Sequence, residues 1–249
     1  MGALALEARG LSKTFVLSAR GPARLLALPE TSLQVLPGHC LAVNGPSGAG
    51  KSTLLRCLYG NYAASTGEIW ARDGERRVDV ARATPREILR LRERVFSYVS
   101  QFLRVIPRVS ALDIVAAPRL AGGDSKEAAL ARAADILRRL NVPEKLWALP
   151  PHTFSGGEKQ RVNIARGFRE EAPIWLLDEP TASLDSLNRQ VVVELILEAK
   201  ARGAAIVGVF HDREVREAVA DSVLALAPVE AREDGAKGPA SEGPLAGWV

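Results

Sequence analysis

Short apolar runs and runs of alternating apolar and polar residues dominate the N-terminal part of the chain, and glycine, proline and serine separate them. Such a pattern is typical of β-strands joined by turns. Further along, the predicted strands alternate with helices. The predicted strands are residues 4–11, 15–17, 25–35, 40–43, 68–71, 77–80, 174–177, 205–210 and 223–226, and the predicted helices are 52–59, 187–201 and 212–219. Alternation of strands and helices predicts an α/β protein with a parallel sheet covered on both faces.

Midway along the chain the periodicity of apolar residues becomes helical. Ser110 with Asp113, and Asp124 with Glu127, have the spacing of a capping box, in which side chains satisfy backbone N–H groups at a helix start. We therefore expect an inserted helical subdomain over about residues 102–169.

Composition narrows the class of protein. The chain has 249 residues, of which 47% are hydrophobic, and a formal net charge of +4, which is ordinary for a globular domain. The arginine-rich stretch 72–94 also contains acids and lacks aromatic residues, so it is predicted to be a solvated face with no nucleic-acid partner. Cys40 and Cys57 lack metal-ligand spacing and are expected to be small buried residues in a reducing compartment.

The sequence predicts neither a secretory signal nor a membrane-spanning segment. The N-terminal residues lack a basic region followed by a long apolar stretch, and no apolar run reaches the about 18–20 residues that cross a bilayer. We expect a cytoplasmic protein without direct membrane insertion, whose association with a membrane depends on a partner. Residues 228–249, rich in glycine, proline and alanine, are predicted to be a flexible tail, which leaves 1–227 as one domain.

A glycine-rich stretch follows the predicted strand 40–43 and leads into the predicted helix 52–59. It fits the P-loop pattern, in which backbone N–H groups and the positive end of a helix dipole converge on phosphates. Lys51 is expected to reach the β- and γ-phosphates, and the Ser52 hydroxyl to ligate Mg²⁺. The sequence thus predicts an ATP and Mg²⁺ site that includes Gly45, Pro46, Ser47, Gly48, Ala49, Gly50, Lys51, Ser52 and Thr53.

Two acids and a histidine follow later strands. Asp178 comes at the end of the apolar run 174–177, where a carboxylate can hold Mg²⁺. Glu179 is next in the chain and is a candidate general base for the attacking water. His211 follows the predicted strand 205–210 and is expected to hydrogen-bond the γ-phosphate from the same sheet edge.

The segment Phe154-Ser155-Gly156-Gly157-Glu158 predicts a second anion-binding helix start. One P-loop needs only one phosphate cradle within the chain, so the second is expected to close on the nucleotide of another subunit. The segment resembles the signature motif of ATP-binding-cassette (ABC) proteins, Leu-Ser-Gly-Gly-Gln. Phe154 and Glu158 depart from the motif at its ends, whereas Ser155, Gly156 and Gly157, which contact phosphate in that family, match it.

Other positions gain a meaning from this resemblance. It implies that Phe15 stacks on adenine, that Gln101 senses Mg²⁺ or water, and that Asp185 belongs to the loop that crosses the interface with a second ABC subunit, identical or different. The implied fold is a P-loop NTPase of ABC type: an N-terminal antiparallel β-subdomain, a mainly parallel core sheet flanked by helices, and an inserted α-helical subdomain. The resemblance spans about residues 4–226.

Several stretches between these motifs also resemble one branch of the family, the L-type ATP-binding subunit of the bacterial carbon–phosphorus lyase system for phosphonate degradation. They are residues 100–108, 141–147, 160–168 and 203–212. This resemblance implies an ATP-hydrolysing subunit linked to the formation of ribose 1-phosphonate 5-triphosphate, with the carbon–phosphorus lyase core complex as a partner.

Two alternatives remain open beside that reading. The chain could be the motor ATPase of a membrane ABC transporter, of the lipoprotein-exporter or phosphonate-importer type. It could also be a soluble ABC protein of DNA repair or translation, but such proteins usually carry two cassettes and this chain has one P-loop. The surface around Gln101, where a transporter motor receives its membrane partner, is expected to discriminate between a lyase subunit and a transporter motor.

Overall fold

The structure is a computed structural model that describes residues 3–17, 23–103 and 107–228. Residues 229–249, nearly all of the predicted flexible tail, lie outside the described residues. In chain order the elements are β1 (Leu6–Leu17), β2 (Ala23–Val35), β3 (Cys40–Asn44), α1 (Lys51–Leu58), β4 (Thr66–Asp73), β5 (Arg76–Asp79), α2 (Pro85–Arg94), β6 (Phe96–Val99), α3 (Ala111–Ala121), α4 (Lys126–Arg139), α5 (Glu144–Trp147), a 3₁₀ turn (Pro151–Thr153), α6 (Gly156–Gly167), β7 (Ile174–Asp178), α7 (Ser186–Ala201), β8 (Ala205–Val209), α8 (Arg213–Val219) and β9 (Ser222–Ala225).

The first sheet is antiparallel and has the order β2-β1-β4-β5. Leu6 of β1 lies opposite Val35 on one side and opposite Ala71 on the other. The sequence predicts two strands, 4–11 and 15–17, where the structure has the single strand β1. The register of β1 against β2 shifts between Ala8 and Thr14, and such irregularities let a strand continue through polar residues that break its alternation.

The second sheet is parallel and has the order β6-β7-β8-β3-β9. β8 lies between β7 and β3, so Val209 is paired with Asp178 on one side and with Val43 on the other. The carboxyl ends of these three strands are therefore neighbours, which is the usual place for a ligand site in such a sheet. The predicted ABC-type arrangement of an antiparallel sheet and a parallel core sheet with helices is confirmed.

Both faces of the parallel sheet are buried, which explains why its central strands are continuous apolar runs. Trp175 and Leu177 of β7 pack into the core formed with the helical segment and α7. Ile174 and Leu176 point to the opposite face and pack into the core formed with α1 and the antiparallel sheet. The alternation of side chains along one strand thus joins the two cores.

α2 and β6 were not among the predicted elements, although the sequence contains signals for the helix. Thr84 and Glu87 form a capping box at the start of α2, and Pro85 is its first residue, where proline is favoured. β6 is only four residues long and pairs with β7 at the edge of the parallel sheet. Because β6 ends at Val99, it places Gln101 at the carboxyl edge of that sheet.

One of the two predicted helix caps in the helical segment is confirmed and the other is wrong. The Ser110 hydroxyl accepts a hydrogen bond of 3.1 Å from the backbone N–H of Asp113. The next helix, α4, is capped by Ser125, whose hydroxyl accepts from Ala128, and not by Asp124. Serine and aspartate cap helices about equally well, so spacing alone does not distinguish Asp124 from its neighbour Ser125.

Cys40 and Cys57 are both buried and reduced, as predicted. Burial raises the pKa of the Cys40 thiol to about 12 and that of Cys57 to about 11. Both thiols are therefore protonated at neutral pH and act as small apolar residues.

In the part of the chain that the structure describes, no helix is long and apolar enough to cross a bilayer. The domain bounds 1–227 and the subdomain bounds 102–169 stay predictions. The helices α3 to α6 lie within the latter interval.

Candidate nucleotide site

The loop between β3 and α1 has a positive φ at Gly45, Gly48 and Gly50, and at two of these glycines a side chain would also collide with a neighbour. Gly50 has a φ of 92°, and a Cβ there would lie 2.4 Å from the carbonyl oxygen of Ala27. Gly45 has a φ of 153°, and a Cβ there would lie 2.8 Å from the carbonyl oxygen of Leu226. These glycines let the loop curl tightly between neighbouring strands.

The N-terminus of α1 is suited to an anion. Its N-cap residue, Gly50, supplies no side-chain hydrogen bond, so within the described chain the first N–H groups of this helix have no side-chain cap. Lys51 is buried, and its ammonium donates to the carbonyl oxygens of Gly45 and Pro46 at 2.8 and 2.9 Å. The loop thus wraps around a buried positive charge beside uncapped N–H groups, a combination that favours phosphate.

Ser52 and Asp178 meet at the base of this loop. The Ser52 hydroxyl donates to Asp178 Oδ1 at 2.9 Å. Asp178 is fully buried, and its second oxygen, Oδ2, has no hydrogen-bond partner within the described chain. Burial raises the pKa of the Asp178 carboxyl, the Ser52 hydrogen bond lowers it, and the nearby Glu179 carboxylate raises it further.

The residues present fit a magnesium ion. A hydroxyl oxygen and a buried carboxylate with one unpartnered oxygen are hard oxygen ligands, which Mg²⁺ prefers. Mg²⁺ commonly takes only one or two protein ligands and completes its shell with phosphate and water oxygens. The described residues contain no group of three or more His, Cys, Asp or Glu side chains that could hold a metal ion.

Glu179 is the centre of a second group of contacts. Gln101 donates its side-chain amide to Glu179 Oε2 at 3.2 Å, and Nε2 of His211 lies 2.7 Å from Glu179 Oε1. The ionised carboxylate only accepts, so Nε2 of His211 carries the proton of this hydrogen bond. Glu179 adopts a φ of 54°, a conformation uncommon outside glycine and often associated with functional sites.

Gln160 is a residue of this site that the sequence did not single out. It lies on α6 and donates its amide to the backbone carbonyls of Glu179 and Pro180, at 3.3 and 3.1 Å. These bonds hold the turn that carries the Glu179 carboxylate. The sequence carries no local signal for this role, because it depends on the packing of α6 beside the turn after β7.

The predicted second anion cradle forms the start of α6. Ser155 is the N-cap, and it forms a complete capping box with Glu158. The Ser155 hydroxyl and backbone N–H donate to Glu158 Oε2 at 2.7 and 2.8 Å. These bonds lower the pKa of the Glu158 carboxyl. Gly156 borders open space, whereas a Cβ on Gly157 would lie 3.1 Å from the carbonyl oxygen of Ser183.

Asp185 lies in the loop between β7 and α7 and caps α7. Its carboxylate accepts from the backbone N–H of Asn188 at 2.8 Å, and the Asn188 side chain donates to it as well. Ser183, two residues before Asp185, has a φ of 63°. A cavity of about 150 Å³ lies between this loop and the His211 segment. A role for Asp185 at a nucleotide stays a prediction.

Phe15 lies on the antiparallel sheet and not in the hydrogen-bonded groups around Asp178 and Glu179. Its ring packs edge-on against Tyr62, with 5.2 Å between centroids, and the Lys13 ammonium lies 4.8 Å from its centroid. The ring is only partly buried. A partly exposed aromatic ring offers a face for stacking, so the prediction for adenine stays open to test.

The profile of the ABC transporter family matches residues 28–182. The chain belongs to the ABC transporter family. Two solved structures of the cassette MJ0796 have the same fold. Its dimeric structure has a TM-score of 0.81 at 26% identity and covers 90% of this chain and 94% of its own. The dimeric post-hydrolysis state, bound to ADP and Pi, has a TM-score of 0.80 at 27% identity over 89% and 94% of the two chains.

Several relatives have a higher sequence identity to this chain than these solved structures have. The lipoprotein-releasing system ATP-binding protein LolD of Alcanivorax borkumensis is 39% identical over 210 residues, which is 84% of this chain and 89% of that protein. LolD of Aquifex aeolicus is 38% identical, over 76% of this chain and 83% of that protein. The macrolide export ATP-binding/permease protein MacB of Rhodopseudomonas palustris is 32% identical over 86% of this chain but only 32% of its own length.

These matches establish an ABC ATPase, a nucleotide-binding cassette that hydrolyses ATP. They also correct a finer expectation. The relatives are LolD and MacB proteins, so the assignment to the carbon–phosphorus lyase system, with its core complex and ribose phosphonate triphosphate synthesis, is wrong. The stretches behind that assignment include much of α6 and all of β8, which build the common cassette. Such segments report on the ATPase scaffold and not on the work that it drives.

Proposed function

We propose that the chain is the motor ATPase of a membrane transporter of the LolD and MacB kind. The observation that supports it most directly is the 39% identity to a lipoprotein-releasing ATP-binding protein over 84% of this chain. The match to MacB agrees with the proposal. The name of that protein joins an ATP-binding part to a permease, and this chain matches about a third of its length. The partner is then a permease, and the cargo a lipoprotein or a macrolide, as in the names of these relatives.

In this proposal ATP lies on the loop from Gly45 to Thr53, with its adenine against Phe15. Lys51 exchanges its two carbonyl partners for β- and γ-phosphate oxygens, and the N–H groups of α1 bind the same anion. Ser52 and Asp178 would hold Mg²⁺, which neutralises phosphate charge when bound. Asp178 would meet this cation with the oxygen that now lacks a hydrogen bond.

Glu179 is the proposed general base. It accepts a proton from the attacking water, while His211 and Gln101 fix its two oxygens in place. The contacts of 2.7 and 3.2 Å to these residues leave the carboxylate little freedom to rotate. A base that is held in one orientation avoids the entropic cost of finding it.

The site is completed by a second subunit, identical or different. Ser155, Gly156 and Gly157 of that subunit would approach the γ-phosphate, and Asp185 would lie at the interface. The dimeric state of the MJ0796 cassette supports this arrangement. The domain would comprise residues 1–227 and would lie on the cytoplasmic side of the membrane. The subdomain 102–169 would move when ATP binds and the dimer closes.

Co-purification tests the proposal. The tagged chain carrying Glu179→Gln is isolated with ATP from detergent-solubilised membranes, and an untagged strain provides the background control. We expect an integral membrane protein in stoichiometric amount. Reconstitution of the wild-type chain with that membrane protein in liposomes should stimulate ATPase activity, and Lys51→Ala should abolish it. Recovery of soluble partners alone would contradict the transporter assignment.

A further inference from the structure

Arg189 joins two segments of the candidate site that are remote in sequence. It lies in the first turn of α7, and its guanidinium makes an ion pair of 2.6 Å with Asp212 Oδ2. The same guanidinium donates to the backbone carbonyl of Leu184 at 3.3 Å. One side chain therefore bonds both the loop 181–185 and the segment that contains His211.

Asp212 is fixed by bonds at both of its oxygens. Oδ1 accepts from the N–H groups of Glu214 and Val215 and so caps α8, while Oδ2 takes the bond from Arg189. His211 is adjacent in the chain and contacts Glu179 at 2.7 Å. Because His211 is bonded to an anchored aspartate, its Cα is held in place, which limits the region that its imidazole can reach.

The loop 181–185 also touches the start of α6. Gly157 packs so closely on the Ser183 carbonyl that a Cβ would lie 3.1 Å from it. Gln160 of α6 holds the carbonyls of Glu179 and Pro180. The contacts thus run from α6 to the loop, from the loop through Arg189 to Asp212, and from His211 back to Glu179.

We propose that Arg189 is a positioning residue for ATP hydrolysis. Through Asp212 it fixes His211 relative to the loop 181–185 and so keeps the imidazole against Glu179. The inference rests on the proposed roles of Glu179 and His211. Arg189 does not touch the predicted phosphate loop in any of its hydrogen bonds within the described chain, so its effect is on the orientation of the base and not on nucleotide affinity.

The alternative is that the pair only adds stability. Arg189 and Asp212 are 34% and 24% exposed, and ion pairs at the surface contribute little to folding. A purely stabilising pair would leave the turnover of the folded protein unchanged. Arg213 and Glu217 form an exposed ion pair of the same 2.6 Å length on α8, which provides a matched control.

The test is the steady-state ATPase activity of the full chain with the variants Arg189→Gln, Arg189→Lys, Asp212→Asn and the double variant Arg189→Gln with Asp212→Asn. Asn keeps the helix cap but removes the charge. We expect Arg189→Gln to lower kcat about tenfold with KM for ATP within about twofold. Lys should recover part of the loss, and the double variant should be no worse than Arg189→Gln alone.

Controls separate the possible outcomes. Thermal melting identifies any variant that has lost its fold, and Arg213→Gln should retain wild-type kcat. An unchanged kcat in folded Arg189→Gln and Asp212→Asn, beside an inactive Lys51→Ala, would overturn the role of Arg189 and leave the ATPase site intact. Activity in Lys51→Ala would instead count against the proposed site itself. Additive losses in the double variant would also overturn the coupling.

Discussion

The Ser52 hydroxyl donates a hydrogen bond of 2.9 Å to Asp178, although the two residues are 126 positions apart in the chain. The contact exists because β3 and β7 both lie next to β8 and end at the same edge of the sheet. It brings the end of the glycine-rich loop onto a buried carboxylate. We therefore expect the metal and the phosphates to be held by residues from both halves of the chain.

Loss of the Lys51 ammonium should remove catalysis. Lys51→Ala is expected to lower ATPase kcat by about 10²–10³-fold, because a preorganised positive charge at the phosphates is lost. Lys126→Ala is the matched control, since Lys126 is exposed at the start of α4. Both variants are assayed with Mg²⁺ and ATP. Comparable activity in the two would exclude Lys51 from the site.

The buried Asp178 carboxyl should make stability depend on pH. Its pKa is raised in the fold, mainly by burial, so the native state holds the proton to higher pH than the unfolded chain does. The contribution of Asp178 to the free energy of unfolding therefore falls as the pH rises from the ordinary aspartate pKa through the raised pKa of the folded state. Without nucleotide and metal, the Tm of the wild type should fall relative to that of Asp178→Asn over this interval.

Addition of Mg²⁺ and ATP should reverse that difference at neutral pH, since a cation favours the ionised carboxylate and ligand binding stabilises the folded state. Differential scanning calorimetry at several pH values measures both effects. A constant difference in Tm between the two proteins across the interval would mean that Asp178 does not ionise in the way that its burial implies.

Glu158 should weaken the approach of a second nucleotide. Its carboxylate holds the Ser155 hydroxyl at 2.7 Å and puts negative charge where a phosphate from another subunit is expected. Glu158→Gln keeps a capping side chain but removes the charge, so ATP-induced dimerisation should tighten by about fivefold or more, the ratio for about 1 kcal/mol. Analytical ultracentrifugation with ATP measures it. Weaker dimerisation in this variant would show that the charge assists closure.

Phe15 should contribute to nucleotide affinity through its ring. Phe15→Ala is expected to weaken ATP binding by about 1–3 kcal/mol, the range for stacking of a base on an aromatic side chain. Phe15→Trp keeps a stacking surface and should bind nearly as well as the wild type. Calorimetric titration with ATP decides the matter. Equal affinities for the alanine and tryptophan variants would place adenine elsewhere.

The sequence was sufficient to predict which residues lie together at the loop after β3, where phosphate chemistry requires particular residues at fixed spacing. The P-loop glycines, Lys51 and Ser52, and the acid at the end of an apolar strand, are contiguous patterns whose purpose can be inferred from the chemistry of phosphate and metal. The fold class follows because the buried strands β7 and β8 are unbroken apolar runs.

What the sequence did not indicate depends on contacts between distant segments. Gln160 acquires its role only when α6 packs beside the turn after β7, and Arg189 only when α7 lies beside Asp212. β6 was missed because only Val95 separates it from α2, so no turn residue marks where the strand begins. The branch of the family was misassigned because the segments used for it belong to the shared ATPase scaffold.

The central claim, a hydrolytic site that two subunits complete, is tested most directly with Glu179→Gln. This variant keeps the size of the side chain but cannot accept a proton, and its amide oxygen replaces only one of the two carboxylate oxygens that accept from Gln101 and His211. We predict that it binds ATP, does not cleave it, and accumulates as a dimer that dissociates when Ser155→Glu is added. Sedimentation with ATP, followed by analysis of the bound nucleotide, gives both readings. A monomer that binds ATP at concentrations where the wild type is active, or a dimer that contains only ADP, would contradict the account.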